Sequence, residues 1–240
     1  MNPVDFPPVA AILELAASAL AALGAVVTPA GAIVLVTLAV RALLIPVGVS
    51  VAKAAQGRRR LAPQLAALQK RYKNNPERLQ KETLALYAAE NVSPLAGCLP
   101  MLAQLPIVSL VYALFASARI AGEPNRLLES SLLGAGLGRQ VAEFAGGVYP
   151  SDLVLLGLVL VLAVVAWLTR RMTLRDALAA PAPAPDAPGA ALLNPRGPLS
   201  WAPFATIAVA AFVPLAATLY LAVSGVWSYV ERRVLRAVYA

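Results

Sequence analysis

The 240-residue chain contains no histidine and a single cysteine, Cys98. Without histidine, imidazole acid–base chemistry and imidazole metal ligation are excluded. One thiol forms neither an internal disulfide nor a multi-cysteine metal site, so no cofactor is expected. Charge is scarce too: 13% of the residues are charged, against about 25% in a typical soluble domain. Acidic residues are the scarcer sign, 12 Asp+Glu against 20 Lys+Arg, for a formal net charge of +8. Residues 1–10 carry only Asp5 and no basic run, so no cleavable secretory signal is expected. What is abundant is apolar material, 60% of the chain, where soluble domains hold about 45–50%. Too little polar surface remains to cover a water-facing globule, which excludes an ordinary cytosolic enzyme. The expected class is an all-α integral membrane protein.

A bilayer core is about 30 Å thick and is crossed by about 20 apolar residues. The clearest span is 153–169, LVLLGLVLVLAVVAWLT, closed by Arg170 and Arg171, with Trp167 at the interfacial end. A first span is expected over 29–51, with Arg41 as its one charge before Lys53. Another is expected over 94–118, punctuated by Pro100 and Pro106. From Gly197 to Val230 there is no charge, and Pro214 divides that stretch. Two short spans within 199–231 follow, and their basic flanks put both ends on one side. Residues 1–28 include an apolar stretch interrupted by Glu14 and lacking a basic flank. A helix lying in the outer interface is preferred there, with a further span as the alternative. The expected architecture is a five-span helical bundle with an N-terminal interfacial helix.

Two polar connections separate these spans. Residues 52–93 carry nine Lys/Arg, among them Arg58, Arg59, Arg60, Lys70, Arg71 and Lys73. Leu61, Leu65, Leu68 and Tyr72 recur at helical spacing, as do Leu79, Thr83, Leu86 and Tyr87. Asn74-Asn75-Pro76 between them is a turn signal. The pattern predicts an antiparallel helical hairpin. Residues 170–198 include PAPAPDAPGA and are expected to form a Pro/Ala-rich loop. With 52–93, 170–198 and the tail 232–240 on one side, sixteen of the twenty basic residues gather there. The segments 1–28 and 119–152 hold only Arg119, Arg126 and Arg139. By the positive-inside rule the basic side is cytoplasmic. The N-terminus is then extracytoplasmic, the C-terminus cytoplasmic, and the protein a multi-pass integral membrane protein.

The twentieth basic residue is Arg41. On a straight helix it lies roughly 18 Å from Lys53, near mid-bilayer. An arginine there costs about 2.5–3.5 kcal/mol on insertion scales. Either it is a structural residue capped by carbonyls or snorkelling, or it faces a hydrated cavity together with Thr37, one turn earlier on the same face. The span interiors hold no Asp or Glu to pair with it. An unpaired guanidinium of this kind suits a site that receives polar or acidic groups from another molecule.

At this point the residues resemble a known family. VTLAVRALLIPVGVSVAKAAQ (36–56) is similar to the first conserved span of the YidC/Oxa/Alb membrane protein insertases. LAPQLAALQKRYKNNPERLQKETLALYAAENVSPLAGCLPMLAQLPIVSLVYALF (61–115) resembles the family's cytoplasmic hairpin and the start of its next span. FVPLAATLYLAVSG (212–225) resembles its last span. The likeness covers about residues 30–240 in order. It implies a five-span core with a hydrophilic groove open to cytoplasm and bilayer, in which Arg41 is the groove arginine and Thr37 its neighbour. It also implies a mechanism without bond chemistry: a nascent membrane protein's polar segment enters the groove while its apolar segment passes into lipid. Local thinning by short final spans would assist. Ser93, Pro214-Leu215-Ala216-Ala217, Leu221, Gly225 and Glu231 depart from the family pattern, leaving Tyr220 to supply the ring near the end of the groove. The nine residues after Glu231 are shorter than the long basic tails that some members use on ribosomes.

Remaining residues are weighed similarly. Gln104 either lines the groove or bonds a neighbouring helix. Cys98 has no activating base, so packing at a helix start is favoured. Ser50 and Lys53 lack an oxyanion motif and make no catalytic pair. The cluster Arg58-Arg59-Arg60, with Lys70, Arg71 and Lys73, suits anionic lipid headgroups, or contact with the ribosome or a targeting factor. No DNA partner is expected, and the Sec translocon is a candidate companion. The expectation is therefore an insertase and chaperone, not an enzyme. Its competitor is a small channel or transporter using Arg41 to attract anions, which would not require the long basic hairpin.

Overall fold

The computed structural model describes residues 7–90, 92, 114, 119–120, 123–141, 149–179 and 197–239. Apart from Leu114, the expected 94–118 span lies outside them, as do Gln104 and Cys98. The described residues are predominantly helical. Helix α1 runs Pro7–Val26, α2 Pro29–Leu43, α3 Ile45–Arg71 and α4 Pro76–Ala89. A short α5 (Arg126–Glu129) sits among four two-residue strands: β1 (Arg119–Ile120), β2 (Glu123–Pro124), β3 (Ser131–Leu132) and β4 (Ala135–Gly136). Then come α6 (Asp152–Ala179), a 3-10 turn (Pro198–Phe204), α7 (Ala205–Ala210) and α8 (Leu215–Tyr239).

Local chemistry explains these boundaries. Thr28 caps α2, its Oγ1 accepting from the Gly31 amide at 3.0 Å, and Pro29 follows at the first helical position, where no N–H is needed. Asn75 and Pro76 repeat the device at α4, with Asn75 Oδ1 accepting from the Arg78 amide at 3.0 Å. α3 and α4 thus flank the Asn74-Asn75-Pro76 turn as two arms of a hairpin. Arg60 reaches Glu90 across it at 3.9 Å. Further along, a β-carbon at Gly57 would lie 2.8 Å from a Val92 methyl, a close approach that glycine permits.

Two expectations are corrected. The segment 29–51 is not one uninterrupted helix. The ladder breaks at Leu44, just ahead of Pro46, which cannot donate to it and disfavours helical geometry in the residue before it. The straight-helix distance from Arg41 to Lys53 therefore does not carry across Leu44. The expected loop 170–198 begins late, because α6 continues through Ala179 and takes in Arg170, Arg171 and Arg175. Within the 119–152 connection, β1 pairs antiparallel with β2, and β3 with β4.

Among the described residues one helical segment, Asp152–Asp176, is long and apolar enough to cross a membrane. Glu14–Val26 and Pro29–Leu43 pass that test only as a pair, bent by 119°. Ser200–Ala210 is a shorter apolar segment.

The chain divides into two compact units. The first comprises the described parts of Met1–Leu44, Ala103–Ala166 and Phe204–Ser228. Its core gathers Leu20 of α1, Ala32 and Ile33 of α2, Leu137 after β4, Leu155 of α6 and a run on α8 from Leu215 to Tyr220. The first amides of α8, orphaned by helix geometry, donate to the connection: Leu215 N–H to Arg139 O at 2.8 Å and Ala216 N–H to Leu137 O at 2.9 Å. The second unit comprises the described parts of Ile45–Leu102, Trp167–Pro203 and Tyr229–Ala240, with Leu61 and Met172 buried in it.

Candidate functional site

In the first unit, the buried residues of α2 are Ala30, Ala32, Ile33 and Thr37. Ile33, Thr37 and Arg41 follow one another at four-residue intervals and so share a face. Arg41, half-buried, extends that inward stripe, while Leu35, Val36 and Leu43 are exposed. Thr37 is 4% exposed, and its hydroxyl donates to the Ile33 carbonyl at 2.6 Å, within its own helix. The Arg41 guanidinium has no carboxylate partner among the described residues. Tyr220 is buried in the core of the same unit. Helix α8 adds two buried hydroxyls that the sequence did not single out, Thr218 and Ser224. Thr218 Oγ1 donates to Pro214 O at 3.3 Å; Ser224 Oγ has no partner among the described residues. Their signal was present as small polar residues in an otherwise apolar run.

A second arrangement in this unit ties the connection to the start of α6. Asp152, with a fully buried side chain, takes a two-pronged contact from Arg139, Nε to Oδ1 and Nη2 to Oδ2, the latter at 2.9 Å. The Tyr149 amide donates to the same carboxylate at 2.8 Å, and the Arg139 guanidinium lies 5.4 Å from the Tyr149 ring. Two planar groups meeting at two points fix orientation as well as distance.

In the second unit the basic residues divide by role. Arg59 Nη2 lies 3.0 Å from Asp176 Oδ1, and Arg236 meets the other oxygen of that carboxylate, so α3, α6 and α8 are joined at one acid. Arg236 Nη1 also reaches the Met172 carbonyl at 3.5 Å. Burial pulls the Arg236 guanidinium below its ordinary range, Asp176 opposes the shift, and Arg59, Arg232 and Arg233 add to it; it stays charged at any physiological pH. Arg60, Lys70, Arg71 and Lys73 are exposed on the hairpin, and the Arg58 side chain lies outside the described residues. Arg71 and Arg78 both approach the Tyr72 ring, each at 5.5 Å. Glu231 points at Gly48, where a β-carbon would collide with its carboxylate. No group of acidic or cysteine side chains suited to a metal ion occurs among the described residues.

A helical chain with one helix long and apolar enough to cross a membrane, and with a half-buried arginine on the inward face of α2, fits the class of integral membrane proteins, and no recognisable catalytic centre occurs among the described residues. The sequence pattern of the family described as 60Kd inner membrane protein matches residues 24–240. The chain therefore belongs to that family, the YidC/Oxa/Alb group. Curated relatives include the membrane protein insertase YidC of Clostridium perfringens, 45% identical over 83 residues, 35% of either chain. The protein of that name from Clostridium tetani is 37% identical over 84 residues, 35% of this chain and 38% of that one. The one from Burkholderia multivorans is 36% identical over 94 residues, 39% of this chain and 17% of the relative. The matched segments thus span well under half of each relative's length.

Proposed function

We propose that this protein is a membrane protein insertase and chaperone of the bacterial plasma membrane. Its relatives carry the insertase name, and the observation that carries the reading is Arg41. It lies on the face of α2 continuous with the buried residues Ile33 and Thr37, away from the exposed Leu35, Val36 and Leu43. A permanently charged group on that face, with no carboxylate among the described residues, suits a hydrated groove that receives a transient acidic guest. Thr37, Tyr220 and Gln104 complete the proposed groove. The mechanism moves no bonds. A polar segment of a nascent membrane protein dwells near Arg41, which lowers the cost of leaving water. The adjoining apolar segment then passes along the bundle into lipid.

The full architecture belongs to the same proposal: five spans, an interfacial N-terminal helix, an extracytoplasmic N-terminus and a cytoplasmic hairpin and C-terminus. α1 lying flat is supported by its 119° bend from α2 and by Glu14. Arg60, Lys70, Arg71 and Lys73 on the exposed hairpin suit anionic lipid, the ribosome or the Sec translocon.

The test is depletion followed by complementation. Insertion of short substrates with acidic extracytoplasmic segments should fall on depletion. It should return with the wild-type chain, return in part with Arg41→Lys, and remain several-fold lower with Arg41→Ala. Insertion indifferent to depletion would overturn the reading. Anion flux into liposomes that disappears with Arg41→Ala would favour a channel instead.

A further inference from the structure

One side of α6 is exposed along most of its length: Leu153, Leu156, Leu160, Val161, Val164 and Trp167 form a stripe at helical spacing that ends on exposed Arg171. From Leu153 to Arg171 the helix rises about 27 Å, close to the roughly 30 Å of a hydrocarbon core. The stripe therefore matches the bilayer, and its Trp–Arg end falls at headgroup depth, where tryptophan is favoured. The Arg171 guanidinium lies 4.4 Å from the Trp167 ring.

Beside it, the Arg170 guanidinium lies 4.1 Å from the ring of Trp201, which is 54% exposed. Stacking of this kind holds an arginine in place while leaving its in-plane N–H groups available. Two buried polar atoms here have no hydrogen-bond partner among the described residues: Arg170 Nε and Ser200 Oγ, the latter next in sequence to Trp201. Buried donors without partners are costly, and what each of these two atoms lacks is an oxygen acceptor. The nearest acid on α6, Asp176, is already held by Arg59 and Arg236 and does not neutralise Arg170 or Arg171.

We propose that Arg170, Arg171, Trp167, Trp201 and Ser200 form a binding site for the phosphate of an anionic phospholipid, whose acyl chains lie along the exposed stripe of α6. Guanidinium forks suit phosphate oxygens in two-point contact. The apolar stripe below the cations selects a lipid over a free anion. This site uses none of the residues of the proposed groove and does not depend on the insertase reading.

The test uses the purified full-length chain in non-ionic detergent, titrated with phosphatidylglycerol, phosphatidylcholine or sodium phosphate and read by native mass spectrometry. Phosphatidylglycerol should be retained in preference to phosphatidylcholine, and millimolar sodium phosphate should not displace it. Arg171→Gln should weaken retention about fivefold, the loss of one interfacial cation. Arg170→Gln should do at least as much. Trp201→Leu should also weaken it, although it leaves the charge unchanged, and Arg175→Gln, of matched charge on the same helix, should not. Equal losses for Arg175→Gln and Arg171→Gln would reduce the site to general surface charge and overturn it. So would equal retention of the two lipids, or displacement by sodium phosphate. If Arg170→Gln does not fold, Arg171→Gln and Trp201→Leu decide the matter.

Discussion

At the scale of single residues, charges in this protein hold different positions for different physical reasons. Arg41 is half-buried without a carboxylate among the described residues, whereas Arg139 is locked to a buried one. Asp152 receives three donors, two from Arg139 and one from the Tyr149 amide. Removing the acid strands a cation in its pocket, and an orphaned buried charge costs more than the intact pair contributes. Asp152→Ala should therefore lower the detergent-solubilised melting temperature clearly. The double change Asp152→Ala with Arg139→Met should restore part of the loss. Thermal unfolding of the three variants checks this, and a double variant less stable than the single one would refute the pairing argument. Arg41 was visible in the sequence because a lone charge in an apolar run stands out. The Arg139–Asp152 pair was not. Its members are thirteen positions apart in the sequence, with no periodicity to say which acid an arginine will meet.

At the scale of elements, starts were more legible than ends. Thr28-Pro29 and Asn75-Pro76 announce their helices by known capping chemistry. The end of α6 was obscured because arginines that close a membrane span need not close a helix; the ladder continues past Arg170 and Arg171 to Ala179. The break at Leu44 was obscured because Pro46 sits in an apolar run that reads as one span. The β3–β4 hairpin was hidden for another reason. Its two-residue turn places both Leu133 (φ 52°) and Gly134 (φ 85°) in left-handed geometry, which the sequence signals only through the glycine. A left-handed leucine costs about 1–2 kcal/mol, and Leu133 is 83% exposed, so its side chain offsets little of that. Leu133→Asn, the residue such turns favour, should stabilise the protein by about 1 kcal/mol. A rise in melting temperature in detergent is the expected result. A fall would mean that the leucine is held by apolar surroundings such as lipid.

At the scale of the whole molecule, the net charge of +8 becomes a statement about sidedness. Sixteen of the twenty Lys/Arg fall in 52–93, 170–198 and 232–240. Four of the basic residues there gather on a shared acid or a shared ring: Arg59 and Arg236 on Asp176, and Arg71 and Arg78 on Tyr72. Such pairing does not weaken the topological argument, because basic residues near span ends set orientation by resisting translocation, while acids contribute little. The connection holding α5 and the two small hairpins carries only Arg119, Arg126 and Arg139, and Arg139 is neutralised by Asp152. The proposed sidedness is open to direct measurement, since the chain's one cysteine can be removed. In a Cys98→Ser background, Ser131→Cys and Asn74→Cys place a thiol at an exposed position in each of the two connections. A membrane-impermeant maleimide applied to intact cells, beyond the outer membrane where one is present, should label Ser131→Cys. It should leave Asn74→Cys unlabelled until the plasma membrane is permeabilised. The reverse pattern would place the basic hairpin outside the cell. An arginine-rich hairpin on that side could not meet cytoplasmic ribosomes, so the reverse result would also remove the proposed ribosome contact of Arg60, Lys70, Arg71 and Lys73.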